Sequence, residues 1–226
     1  DGSYGWGRVG YRYGGCRPVV PFSSISSISS NGVRGKNGVL EIEYGEYPQW
    51  VADKDMQNLL EIAFMIGNLK STGKSYTVDS RKYSDYNNDF LAKEYDEFEF
   101  YGKKYVRVIA NTCFDGKNVT LSNGEQYKDG DAVWVEVSPV KWLVDEKANI
   151  MVAKHILFAG VQFNKEQNYQ GDFENTDLSK YLKDHFAKDI IPSDVLEKEN
   201  ISENKKNKKR NINPYGFEYE NVTEED

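Results

Sequence analysis

Cysteine and histidine are the scarcest reactive residues here, two of each in 226, beside three methionines and six prolines. Cys16 and Cys113 allow one bridge at most. With no signal-peptide pattern and no dense cysteine spacing, they read as two free thiols in a reducing interior, so the expected location is cytoplasmic. His155 and His185 stand in no H-x-x-x-H or other metal-ligand spacing, and each reads as a packed residue rather than a catalyst. No metal or cofactor is therefore expected. Apolar runs fall short of the ~20 residues of a membrane span, and no membrane contact is expected. Basic residues are outnumbered, 29 against 36 acids, for a net charge of −7. That balance offers no general electrostatic hold on nucleic acid.

Nucleotide motifs are missing as well, although two stretches imitate them. Gly5-Trp6-Gly7-Arg8-Val9-Gly10 matches GxGxxG, but no strand precedes it and the Gly-Gly and Pro that follow cannot continue a helix. Ser71-Thr72-Gly73-Lys74-Ser75 resembles a phosphate-binding loop, yet the required earlier glycine would fall on Asn68, and Tyr76-Thr77-Val78 continues as a strand. A turn between helix and strand is the expectation there. Asp115, Asp129 and Asp131 lack the alternation and terminal Glu of an EF-hand, and read as turn residues.

What the chain does have is length enough to bury a core without disulfides or metal, together with 16 tyrosines and 11 phenylalanines. Such aromatic residues suit half-exposed sheet faces. Its densest apolar stretch is Ala132 to Phe163. Val133, Val135 and Val137 alternate with Trp134, Glu136 and Ser138, the period of a half-buried strand, and the alternation resumes after Pro139 with Val140, Trp142 and Val144. Asp145 to Asn149 makes a polar turn. Ile150 to Phe158 follows as a central strand or a short buried helix.

Around this core, the alternation from Val39 marks a strand with Leu40, Ile42 and Tyr44 on one face, ending at the Gly45 and Pro48 breakers. Asp53 is placed to cap a helix with Met56, Leu59, Leu60, Ala63 and Phe64 at helical spacing, and Gly67 ends it. Phe98 to Val108 reads as a hairpin about a Gly102 turn, and Asn123-Gly124 as a second hairpin turn. Leu178, Tyr181, Leu182, His185 and Phe186 mark a second helix within Phe173 to Ile191, capped by Thr176 or Asp177. The fold class expected is α+β, a mixed and mostly antiparallel sheet with two flanking helices.

Composition divides the chain into a Gly/Tyr/Arg-rich strand segment (1–22), a Ser/Gly linker (23–38), an α+β domain (39–192), a charged linker ending in KKNKKR (193–212) and an aromatic closing segment (213–226). Thr223 with acids after it resembles a helix-opening capping box, so the polypeptide is expected to continue past Asp226.

Three motifs in this layout resemble a bacterial domain family of unassigned function related to the C-type-lectin-like and sulfatase-modifying-factor folds. They are Tyr44-Gly45-Glu46-Tyr47-Pro48-Gln49, Val140-Lys141-Trp142-Leu143-Val144 followed by Ala153-Lys154-His155-Ile156-Leu157, and Thr176 to Phe186, which stands where the family has S-x-L-R-x-W-L-N-x-x-F with Thr, Lys and Tyr at its Ser, Arg and Trp positions. The family closes on a V-R-P strand, whereas here Cys16-Arg17-Pro18-Val19-Val20 comes first. That segment is then either the tail of a preceding copy or a permuted strand docking on the sheet. Residues 213–226 resemble the lead-in to an AAA ATPase of the MoxR kind.

The resemblance implies a lectin-like fold and a non-enzymatic binding or targeting module of a larger bacterial or phage-type protein, recognising a protein or small-molecule ligand. The expected contact residues are Tyr11, Arg12, Tyr13, Arg17 and Trp142, since Tyr and Arg make adaptable contact surfaces. Two alternatives follow from the same likeness: an N-terminal regulatory domain with an ATPase domain downstream in the same chain, or an oxidase-like enzyme of the formylglycine-generating fold in which Cys16 and Cys113 meet.

Overall fold

A computed structural model describes residues 15–22, 33–34, 38–79, 91–110, 118–128, 130–159, 163–166 and 171–191. The chain divides into two compact units, the first formed by Asp1–Cys16, Glu46–Ser138 and Leu157–Ile190, the second by Arg17–Gly45, Pro139–Ile156 and Ile191–Asp226. The described residues make an α+β protein with antiparallel pairing throughout the registered ladders. In chain order the strands are β1 (Gly15–Cys16), β2 (Val19–Pro21), β3 (Val33–Arg34), β4 (Leu40–Val51), β5 (Lys70–Asp79), β6 (Ala92–Phe100), β7 (Lys103–Ile109), β8 (Val119–Thr120), β9 (Gln126–Tyr127), β10 (Ala132–Asp145), β11 (Ile150–Ala153) and β12 (Phe158–Ala159). Helix α1 is Lys54–Met65, and α2 runs through the contiguous segments Asp177–Tyr181, Leu182–Phe186 and Ala187–Ile190.

In the first unit β5, β6, β7 and the first part of β10 pair in that order. Tyr101 and Gly102 join β6 to β7 with positive φ at both positions, 48° and 75°, the twist that a two-residue hairpin needs. The register sets two faces. Phe98 stands opposite Tyr105, and Arg107 opposite Trp134, on one face; Glu97 opposite Val106, and Val106 opposite Val135, lie on the other. α1 packs on the first face, where Leu60 joins Ala52, Tyr105 and Trp134 in a buried cluster. Residues of α2 meet the second, where Tyr181 and Phe186 are buried with Tyr47 and Tyr76. Both faces are therefore covered, so Val133 and Trp134 are each fully buried where alternation alone predicted a half-buried strand.

α1 starts as its sequence dictates. Asp53 Oδ1 accepts from Met56 N at 2.9 Å, and Gly67 leaves the helix at φ 69°, with Asn68 N donating to Ala63 O at 2.8 Å. α2 starts at the first of its two expected caps. Phe173–Asn175 is a separate 3₁₀ turn, and Thr176 is the cap, its Oγ1 accepting from Ser179 N at 3.1 Å. Leu182–Phe186 is a π segment. On a regular helix Tyr181 and Phe186 would diverge by about 140°; the wider π turn brings them back to one face.

In the second unit the later part of β10 pairs with β11 from Trp142↔Ala153 to Asp145↔Ile150, and β11 pairs with β2 from Ile150↔Pro21 to Val152↔Val19. β3 pairs with the start of β4. Val140, Trp142, Val144 and Ile150–Ala153 are buried. β10 is one uninterrupted strand, not two. β10 also pairs with β4; Pro139 falls after the last β7 pair, at Val137, and before the first β11 pair, at Trp142, so those two ladders do not ask for its missing N–H. The run after the turn is a strand only as far as Ala153, which decides between the strand and helix alternatives for it. No helix among the described residues is long and apolar enough to cross a membrane.

Candidate functional site

The residues expected to bind are placed apart by their surroundings. Tyr11, Arg12 and Tyr13 lie outside the described residues, as does Cys113. Arg17 directs Nε at Ala153 O, 2.7 Å away, which ties the chain entering β2 to β11. Trp142 is fully buried and donates its indole N–H to Tyr44 O at 2.9 Å, so its ring presents no surface to a ligand in this conformation. His155 is exposed, and the His185 ring lies tilted beside Tyr181 at 5.9 Å. The Ser71–Ser75 stretch is part of β5, with a register shift between Ser71 and Ser75 and Gly73 at φ 80°, rather than the expected turn.

Two features of the first unit went unread in the sequence. One is a buried polar cluster. Glu97, 2% exposed, accepts from Tyr76 Oη at 2.7 Å and from Thr72 Oγ1 at 2.8 Å. Tyr47 and Tyr181 share a hydroxyl contact of 3.3 Å, and Tyr181 Oη donates to Thr77 O at 3.1 Å. Burial first, then the neighbouring Tyr181, holds the Tyr47 phenol well above its usual range; burial and then Glu97 do the same to Tyr76. Lys74 Nζ lies 4.6 Å over the Tyr76 ring and donates to Asp189 O at 3.0 Å. Burial raises the Asp189 carboxyl to about 6 against the pull of Lys74, and its Oδ2 is buried with no hydrogen-bond partner. Tyr47, Tyr76, Glu97 and Tyr181 are all buried, so these groups pin α2 to the sheet and meet no solvent-borne substrate.

The other feature is the outer side of α1. Leu59, Ile62, Met65 and Ile66 are 51%, 58%, 77% and 70% exposed. Leu59, Ile62 and Ile66 are spaced three and four apart, the spacing of a single helical seam. Between Asp55 and Lys70 the only charged residue is Glu61, and it faces inward. Its carboxylate is held by Arg107, through Nε at 3.0 Å and Nη2 at 2.8 Å, and by Trp134 Nε1 at 2.9 Å. The Arg107 bond first, then Trp134, hold Glu61 below its ordinary value despite burial. The outer face is thus left with no charge between its ends.

Among the described residues no group of three His, Cys, Asp or Glu side chains stands close enough to hold a metal ion. The fold defines an α+β protein whose antiparallel sheet carries few helices. No family model matches the chain, and neither a curated protein nor a solved structure matches it.

Proposed function

We propose that this protein is a non-enzymatic binding module whose recognition surface is the outer face of α1, and that the face takes an apolar protein surface. The observation that carries the reading is the exposed seam of Leu59, Ile62, Met65 and Ile66 with its charge removed by the inward Glu61–Arg107 pair. Depletion of charge beside large apolar side chains is what distinguishes the centre of a protein interface from ordinary surface. A membrane surface is less well matched, because helices that lie in lipid headgroups carry Lys and Arg along their polar side, and α1 has one lysine, Lys54.

The finer fold reading is of the C-type-lectin-like kind. Its support is that the Tyr44–Gln49 and Val140–Val144 motifs fall on β4 and β10, and the Thr176–Phe186 motif on α2 and its cap.

Photo-crosslinking tests the binding reading. Benzoylphenylalanine at position 62 should give a discrete adduct whose peptide can be sequenced, while the same residue at the exposed position 94 on β6 should not. Equal labelling from both positions, or none from 62, would refute it.

A further inference from the structure

We infer that the occupant of the α1 face is a second copy of this chain, seated antiparallel across a two-fold axis near Ile62; this rests on the binding reading above and specifies its partner. Two properties of the face point to a mate like itself. First, the seam is self-complementary in register. A two-fold axis beside Ile62 sets Leu59 of one copy on Ile66 of the other and brings the two Ile62 side chains together, which fills both ends of the seam with apolar side chains of similar size.

Second, the ends of the face carry opposite charge. Asp55 stands in the first turn and makes no ion pair among the described residues, whereas Lys70 follows the Gly67 exit. Antiparallel copies bring each Asp55 towards the partner's Lys70, and their opposed helix dipoles also attract. Lys70 now reaches Glu99 at 3.4 Å, with its side chain 78% exposed, so it is free to turn outward at little cost. Parallel copies would set Asp55 against Asp55.

Against association stands the net charge of −7, which makes copies repel at long range. A partner face without charge in its centre is where that repulsion is least. Salt screens both the overall repulsion and the Asp55–Lys70 pairs at the rim; exposed pairs contribute little, so with an apolar seam the net expectation is association that tightens as salt is added.

Sedimentation equilibrium of the full 226-residue chain over a range of concentrations tests the inference. The wild type is expected to dimerise, more tightly at higher salt. Ile62→Lys is expected to weaken association at least about thirtyfold while keeping the circular dichroism of the wild type, since the position is exposed. Asp55→Lys and Lys70→Asp should each weaken it, and the double exchange should recover most of the loss. A monomeric wild type overturns self-association. If position 62 then crosslinks to a different sequenced protein, the binding reading stands alone; if it crosslinks within its own chain or not at all, both fall. A wild-type dimer indifferent to Ile62→Lys, or a double exchange no better than either single one, also overturns the proposed seat.

Discussion

Glu61→Ala removes one carboxylate that serves two masters, the Trp134 indole and the Arg107 guanidinium. Trp134 is fully buried, so its Nε1–H would lose its acceptor, at about 1–3 kcal/mol, towards the lower end where water enters beside the 34% exposed Glu61 site. The Arg107 pair is partly open to solvent, with side-chain exposures of 25% and 34%, and its loss adds only about 1 kcal/mol. Alanine returns a few tenths, roughly 0.3 kcal/mol, through helix propensity. The net expectation is a loss of about 2–3 kcal/mol in urea unfolding at neutral pH. Glu61→Gln keeps an acceptor for the indole and should cost about 1 kcal/mol.

The pH dependence follows from the sign of the shift. Glu61 is held below 4.5 in the folded chain, so its contribution is present above that value and lost as the pH falls through the lower folded value. The difference between wild type and Glu61→Gln should therefore shrink in acid. Hydrogen exchange of the Trp134 indole proton reads the same bond directly and should quicken in Glu61→Ala. An alanine variant within about 0.5 kcal/mol of wild type, with the indole still protected, would refute the assignment of Glu61 as the anchor of α1.

Three further outcomes are expected. Asp189 has its pKa raised from 3.8 to about 6, so folding is favoured below the lower value and loses stability as the pH rises through the higher one. The gross effect is about 3 kcal/mol, reduced by partial exposure to about 1–2; Asp189→Asn should flatten the unfolding free energy between pH 4 and 7, roughly that window, and an unchanged slope would contradict it. Glu97→Ala strands the buried Tyr76 hydroxyl, while Thr72 is exposed and keeps the Glu97 main-chain oxygen; the change should cost about 1–3 kcal/mol by denaturant titration. Trp142→Phe leaves Tyr44 O without its indole donor and opens space in the second unit, for a loss of about 2–3 kcal/mol by the same titration.

The elements whose cause is local were legible in the sequence. Asp53 and Gly67 bound α1 because capping needs only neighbouring backbone, and the β6–β7 hairpin follows from one turn. What the sequence hid depends on partners far along the chain. Glu97 alternates away from Phe98 and Phe100 and so reads as a solvent-facing acid; it is buried because α2 covers that face. The π segment escapes a 3.6-residue template, since it exists to return Phe186 to the side of Tyr181. Leu59, Ile62 and Met65 share their helix with Leu60 and Ala63, so α1 is apolar nearly all round. Periodicity alone therefore does not say which residues face out. Trp142 drew attention as a contact residue by its type, and its burial on β10 follows from the strand pairing instead.

The most direct test is methyl NMR of the intact chain with a soluble paramagnetic agent, followed as protein concentration rises. In dilute solution the methyl groups of Leu59, Ile62, Met65 and Ile66 should be broadened strongly and that of buried Leu60 hardly at all. At high concentration the four should become shielded together while exposed Leu91 stays broadened. Shielding in the dilute sample, or broadening that never changes with concentration, would contradict the assignment of α1 as the face through which this protein binds its own kind.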